Sequence, residues 1–122
     1  MRALLLLAHG SRQPEANEAV RELAARIRHR SGGGFQAVRH AFLELAAPSA
    51  EEVVAELVAE GAGELVIIPF FLAPGRHLTE DLPALRRRLE SAHPGLEIRL
   101  TGIPGQAPGM VDLLLGLARE AT

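Results

Sequence analysis

The chain contains no cysteine and no lysine, and all 13 of its basic residues are arginine. The absence of cysteine excludes disulfides, thiolate zinc sites, iron–sulfur clusters and cysteine nucleophiles. Any metal ion must therefore be held by histidine, carboxylate, backbone or ligand atoms. Arginine in place of lysine favours bidentate binding of carboxylates, because the guanidinium group is planar and presents parallel donors.

Long hydrophobic runs and a strong net charge are also missing. The formal charge of −2 argues against a general nucleic-acid-binding protein. No segment approaches the length of a transmembrane span, so we expect no membrane partner. The apolar run in the opening MRALLLLAHG is too short for a signal peptide, and no small-residue cleavage site follows it. The apolar fraction of 48% argues against disorder, and the length fits one domain over residues 1–122. Because neither a signal peptide nor a transmembrane span is predicted, we expect this domain to be cytoplasmic.

Apolar runs alternate with helical patterns along the chain. Strands are predicted at Ala3–Ala8, Phe35–Leu43, Glu64–Ile68 and Leu96–Leu100. Helices are predicted at Pro14–Arg30, within residues 47–63, and at Thr79–Ala92 and Gln106–Ala121. This order predicts an α/β fold, a doubly wound parallel four-stranded sheet with helices on both faces. The third strand is apolar enough to be central, whereas the second carries Arg39 and His40 and fits an edge.

Polar residues collect where the predicted strands end. In a parallel sheet of this kind, ligands bind beyond the carboxyl ends of the strands. The charged and imidazole side chains expected at that edge are His9, Arg12, Glu44, Arg76 and His77. Imidazole and carboxylate ligands suit iron, cobalt, nickel and zinc, but the same groups could form an acid–base set without a metal.

Other residues have simpler interpretations. His29 and His93 fall at predicted helix ends, where a cation offsets the helix dipole, and we expect both to be structural. His40 either lines the wall of the site or faces water from an edge strand. Phe70–Leu72 either belong to the core or form the floor for a flat apolar ligand.

Three segments, LLLLAHGSR, FLELAAPS and IIPFFLAPGRHLTEDLP, resemble the small CbiX family of short sirohydrochlorin chelatases. The similarity spans nearly the whole chain, and HGSR combined with PFFLxxGxHxxxDLP is highly specific at this spacing. The resemblance implies a class II chelatase fold and a homodimer, because larger relatives contain two such halves. It also implies a lyase that inserts Co²⁺ or Fe²⁺ into a sirohydrochlorin-type tetrapyrrole of cobalamin or sirohaem synthesis, with no permanently bound cofactor.

Site residues follow from the same resemblance. The metal-binding histidines of the family fall on His9 and His77, and the acidic residue near the metal falls, by a looser alignment, on Glu44. These three are the predicted catalytic residues. The predicted substrate-binding residues are Gly10, Ser11, Arg12, Phe70, Phe71, Leu72 and Arg76. Arginines and backbone N–H groups would bind the carboxylates of the macrocycle, and the apolar residues would pack on its ring.

Two other functions remain open from the sequence. A histidine-phosphatase-like enzyme would use His9 as nucleophile, but its usual motif has an arginine where this chain has Ala8. A non-catalytic tetrapyrrole or metal carrier would use the same residues without chemistry. The ligand types do not separate cobalt from iron as the physiological metal.

Overall fold

The sheet has the predicted architecture. The computed structural model describes residues 1–122, apart from the side chain of His77. Its strands are β1 Arg2–Ala8, β2 Ala37–Phe42, β3 Glu64–Pro69 and β4 Glu97–Leu100. They are parallel and lie in the order β2-β1-β3-β4. The α/β prediction is confirmed, with β2 at an edge and β3 central. β2 is shorter than predicted, and the ring of Phe35 instead lies under the Arg2 guanidinium, 4.5 Å from its centroid.

Four α-helices connect and follow the strands. They are α1 Pro14–Arg30, α2 Ala50–Ala59, α3 Leu82–Ala92 and α4 Gly109–Glu120. The Ser49 side chain caps α2 by accepting a hydrogen bond from the backbone N–H of Glu52. α3 starts later than Thr79 because His77–Asp81 form a π-helical turn, and a 3₁₀ turn at Pro104–Gln106 precedes α4.

The core lies on both sides of β1, which explains its uninterrupted apolar run. Leu5 and Leu7 are fully buried against α2 and α3, whereas Leu4 and Leu6 face the side of α1. A strand covered on both faces cannot alternate with polar residues. Each fully buried leucine stabilises the fold by about 1.5–3 kcal/mol through the hydrophobic effect.

The last helix departs from the expected packing. None of the described residues of α4 is buried. Its exposed large apolar side chains are Val111, Leu113, Leu114, Leu115 and Leu117, between 45% and 64% accessible. The prediction of helices on both faces is therefore met by α1 on one side and by α2 and α3 on the other. α4 contributes no buried residue to either face.

No helix in the described part of the chain combines the length and the apolar character that crossing a bilayer requires. The cytoplasmic location stays a prediction.

Candidate active site

His9 and Glu44 meet at the carboxyl edge of the sheet because the pairing of β1 with β2 continues past both strand ends. The Leu43 N–H donates to the Ala8 carbonyl at 2.9 Å, and the Glu44 N–H donates to the His9 carbonyl at 3.0 Å. This register sets the two side chains next to each other. Glu44 Oε1 lies 2.6 Å from His9 Nε2. The structure thus brings together two of the three residues predicted as catalytic.

Gly10 permits this close approach. Its φ of +102° is a conformation that glycine adopts at low cost. A Cβ atom at this position would lie 1.8 Å from the Glu44 carbonyl oxygen. Any other residue would push the segments of Gly10 and Glu44 apart. The structure therefore explains why the HGSR motif has glycine at this position, which the sequence alone did not reveal.

The ring of His9 has a defined orientation. Nδ1 lies 3.0 Å from the Gly10 carbonyl oxygen, and since a carbonyl only accepts, Nδ1 is the donor. Nε2 is then the nitrogen directed to Glu44. The His9 side chain is 31% exposed and that of Glu44 is 53% exposed. Nε2 itself is buried in contact with the carboxylate, and it is the ring nitrogen left to bind a metal ion or exchange a proton.

The strained backbone after Glu44 marks the same place. Leu45 has a φ of +67°, which costs a residue with a Cβ about 1–2 kcal/mol. Its side chain is 52% exposed, so an apolar surface lies directly beside the carboxylate. Sequence reasoning missed Leu45, and its only signal was an apolar residue in a loop at a strand end.

The loop after β3 presents apolar side chains at this edge. The Phe70 N–H donates to the Leu7 carbonyl at 2.8 Å, which fixes the start of the loop. Phe70 is 36% exposed and Leu72 is 73% exposed, so both lie at the surface rather than in the core. Gly105 holds the loop from the other side: its N–H donates to the Phe71 carbonyl at 3.1 Å, and a Cβ there would lie 1.6 Å from the Leu72 oxygen.

The segment that carries His77 comes close to Glu44. The π-helical turn His77–Asp81 follows Gly75, whose carbonyl accepts from the Leu78 and Thr79 N–H groups at 3.0 Å each. Its far end meets the Glu44 loop across a cavity of about 210 Å³. That cavity is lined by Leu43, Glu44, Asp81, Ala84 and Arg88.

Of the two histidines predicted to bind the metal, the structure describes the side chain of one, His9. The imidazole of His77 lies outside the described residues, so the pairing of His9 with His77 stays a prediction. Among the side chains that are described, no group of three histidine, aspartate or glutamate residues could hold a metal ion.

The predicted carboxylate-binding residues lie at the surface near this edge. Arg12 is exposed, and the Arg76 side chain is 82% exposed with Glu80 3.9 Å away. The Ser11 N–H is already used, because it donates to Asn17 Oδ1 at 3.0 Å while Asn17 Nδ2 donates to the Ser11 carbonyl at 2.8 Å. Asn17 therefore shapes the HGSR loop, and the sequence analysis did not identify it.

The other histidines lie away from this edge. His40 is opposite Leu6 in the middle of β2, and its ring packs edge-on against Phe42 with centroids 5.6 Å apart. Burial lowers the pKa of His40, and the nearby Arg21 lowers it further. His29 lies in the last turn of α1 and His93 caps the end of α3, as predicted.

The sequence model of the CbiX family matches residues 3–121. The chain belongs to the CbiX family. It is 34% identical over 93 residues to a sirohydrochlorin cobaltochelatase of Methanocaldococcus jannaschii, covering 76% of this chain and 64% of that one. It is 31% identical to the chloroplastic sirohydrochlorin ferrochelatase of Arabidopsis thaliana, covering 91% and 48%. A sirohydrochlorin cobaltochelatase of Sulfolobus acidocaldarius is 34% identical, covering 99% and 93%. The chain thus spans 64% and 48% of the length of the first two relatives but nearly all of the third.

Solved structures share the fold. A cobalamin (vitamin B12) biosynthesis CbiX protein from Marinobacter aquaeolei VT8 is 33% identical, with a TM-score of 0.83, covering 99% of this chain and 97% of that one. The sirohydrochlorin chelatase SirB from Bacillus subtilis subspecies spizizenii, solved in complex with cobalt, is 23% identical with a TM-score of 0.86. This chain covers 50% of SirB, so the fold occurs both alone and within a chain of twice the length.

Proposed function

We propose that this protein is a sirohydrochlorin chelatase that inserts Co²⁺ or Fe²⁺ into the tetrapyrrole. The observation that carries the proposal is the contact of 2.6 Å between His9 Nε2 and Glu44 Oε1 at the carboxyl edge of the sheet. Family membership supports it, because relatives bear the names of cobalt and iron chelatases of this substrate.

Metal insertion exchanges protons for a cation. The free macrocycle carries two pyrrole N–H protons, and both leave when one divalent ion binds the four nitrogens. His9 would ligate the incoming ion through Nε2, since Nδ1 is held by the Gly10 carbonyl. Once the ion has passed to the ring, Nε2 would accept the pyrrole protons in turn and pass each one to Glu44, whose half-exposed carboxylate releases it to water. His77 is the proposed second ligand.

The surface beside this pair suits a flat, polyanionic ring. Phe70 and Leu72 offer exposed apolar contact on one side of the site. Arg12 and Arg76 are exposed cations within the loops that follow β1 and β3, and charge-assisted hydrogen bonds to the acetate and propionate groups would orient the ring. A small ligand set also suits a metal that must be released to the product.

The homodimer belongs to the same proposal. The exposed apolar face of α4 supports it, because a chain of this size seldom leaves such a helix uncovered. A phosphate-transfer role is disfavoured, since the carboxylate at His9 Nε2 would repel a phosphoryl group.

Spectroscopic measurement of insertion tests the function. Sirohydrochlorin is mixed with Co²⁺ or Fe²⁺, and the change in absorption is followed with the non-enzymatic rate subtracted. His9→Ala should lower the rate by at least about 100-fold, because it removes both the ligand and the proton exchange. His93→Ala, at the end of α3 on the other face of the sheet, is the control and should keep the wild-type rate. Binding of the tetrapyrrole without faster insertion would identify a carrier instead.

A further inference from the structure

α4 is an amphipathic helix whose apolar face has no cover in a single chain. At about 100° per residue, its apolar side chains occupy roughly 200° of the helix circumference. They are Met110, Val111, Leu113, Leu114, Leu115, Leu117 and Ala118. The remaining strip carries Asp112, Gly116, Arg119 and Glu120. An apolar arc this wide is typical of a helix that contacts more than one neighbouring element.

The same chain has an open groove along α1. On the side of α1 toward β2, Arg21 and Arg28 line a cavity together with Val38 and His40. The opposite side of α1 therefore faces β3 and β4. There a groove of about 660 Å³ runs along α1, and its lining residue Ile27 packs against the same core clusters as Ile68 of β3. Its lining residues are Leu23, Ala25, Arg26, Ile27, His29, Arg30 and Ser31.

Sheet topology explains why this groove is open. With the order β2-β1-β3-β4 and right-handed connections, α1 lies on one face and α2 and α3 lie on the other. In a doubly wound sheet, the helix after β4 would return to the face of α1 and lie beside it. Here α4 has no buried residue, and the open groove occupies the position beside α1 that this helix would otherwise fill.

We propose that α4 of one copy lies in the α1 groove of a second copy, so that two chains exchange this helix. The inference rests on the homodimer of the proposed function and specifies its interface. Both parts of the contact are present in every chain, so a twofold axis satisfies both copies at once. Arg26 and Arg30 on the groove are complementary to Glu120, which flanks one side of the apolar arc of α4, and to Asp112 on the polar strip, while Arg119 flanks the other side.

The charge of α4 favours a protein surface over a lipid one. Helices that lie on membranes carry lysine or arginine along the polar face. The polar strip of α4 has two carboxylates, Asp112 and Glu120, against the single cation Arg119. Anionic lipid would repel this strip, whereas the arginines of the groove attract it.

The first test compares two added carboxylates on opposite sides of α4. Leu114→Glu places a charge at the middle of the apolar arc and should weaken dimerisation on the order of 100-fold. Gly116→Glu places the same charge on the polar strip, where a Cβ meets nothing within 4 Å, and should stay dimeric. Light scattering at micromolar concentration distinguishes 13.0 kDa from twice that mass. A monomeric wild type, with or without binding to anionic phospholipid vesicles, would overturn the proposal, as would an unchanged Leu114→Glu dimer.

The second test identifies the groove, using the natural absence of cysteine. A chain with Leu117→Cys is mixed with a chain with Arg26→Cys and treated with a short bis-maleimide. The exchanged helix predicts a cross-linked product of twice the chain mass that requires both variants. Glu90→Cys, on α3 across the sheet, replaces Arg26→Cys as the control and should give none. Cross-linking of Leu117→Cys to itself but not to Arg26→Cys would show that α4 pairs with α4 and would overturn the groove.

Failure of this inference is distinguishable from failure of the proposed function. A wild type that inserts metal while monomeric would refute the exchanged helix and leave the chelatase intact. A cross-linked dimer that does not insert metal would do the reverse.

Discussion

Gly10→Ala tests the geometry of the site through one methyl group. The new Cβ would lie 1.8 Å from the Glu44 carbonyl oxygen, whereas ordinary contacts begin at 3.4 Å. The two segments must therefore separate by roughly 1.6 Å, the difference between these distances. Because the Glu44 side chain moves with its backbone, its 2.6 Å contact with His9 Nε2 would be lost. A misplacement of about 1 Å in a catalytic group lowers the rate on the order of 100-fold.

A matched control separates this steric effect from backbone strain. Gly61 has a φ of +108°, close to that of Gly10, but a Cβ there meets nothing within 4 Å. Gly61→Ala should therefore lose only the strain of positive φ, about 1–2 kcal/mol of unfolding free energy. For a chain of this size, that corresponds to a fall in Tm of roughly 3–10 °C. Gly10→Ala should lose more stability than Gly61→Ala and should lose activity as well.

Thermal unfolding by circular dichroism and initial insertion rates at saturating tetrapyrrole measure the two effects. We expect Gly61→Ala to insert metal at the wild-type rate below its Tm. If Gly10→Ala matches Gly61→Ala in both stability and rate, the close approach of Gly10 to Glu44 does not exist and the proposed pairing with His9 is wrong.

Two further predictions concern charge. Arg76→Ala should raise the KM for the tetrapyrrole by about 3–10-fold without changing kcat, because this exposed guanidinium binds the ring before the metal enters, and a defect in kcat alone would remove Arg76 from the ring-binding surface. Burial, aided by Arg21 and opposed by Glu18, lowers the pKa of His40 below its ordinary 6.5. Between the lowered pKa and 6.5 the unfolded chain binds the proton more readily, so the free energy of unfolding should decrease as the pH falls through this window. We expect the free energy of unfolding, measured with urea at several pH values, to change less with pH in His40→Asn than in the wild type. An unchanged slope would contradict the lowered pKa of His40.

The sheet could be predicted because its signal is local. A strand covered on both faces needs a continuous apolar run such as that of β1. The alternation of strands with helices predicts that the strands are parallel. The position of α4 could not be predicted. Its amphipathic pattern predicts that one face packs against another apolar surface, but the pattern does not indicate which surface that is.

The site was predictable to the extent that it depends on where strands end. His9 and Glu44 were identified because they follow β1 and β2, which lie side by side. Gly10 and Gly105 act through close backbone contacts with loops distant in sequence, and Asn17 acts through side-chain hydrogen bonds from α1 to Ser11. Such contacts depend on how the chain continues beyond the strands, so the type of residue alone did not reveal these roles.

The contact between Gly105 and the loop of Leu72 links two properties of the molecule that otherwise look separate. Through the Phe71 carbonyl, the segment that leads into α4 is joined to the apolar surface proposed to bind the ring. If a second copy immobilises α4, it also restrains that surface. Ring affinity and subunit affinity are then reciprocally coupled: whatever factor assembly contributes to tetrapyrrole binding, the tetrapyrrole returns to assembly. On the proposed function, the tetrapyrrole would promote dimer formation in a dilute solution of this chain and so raise the concentration of assembled sites.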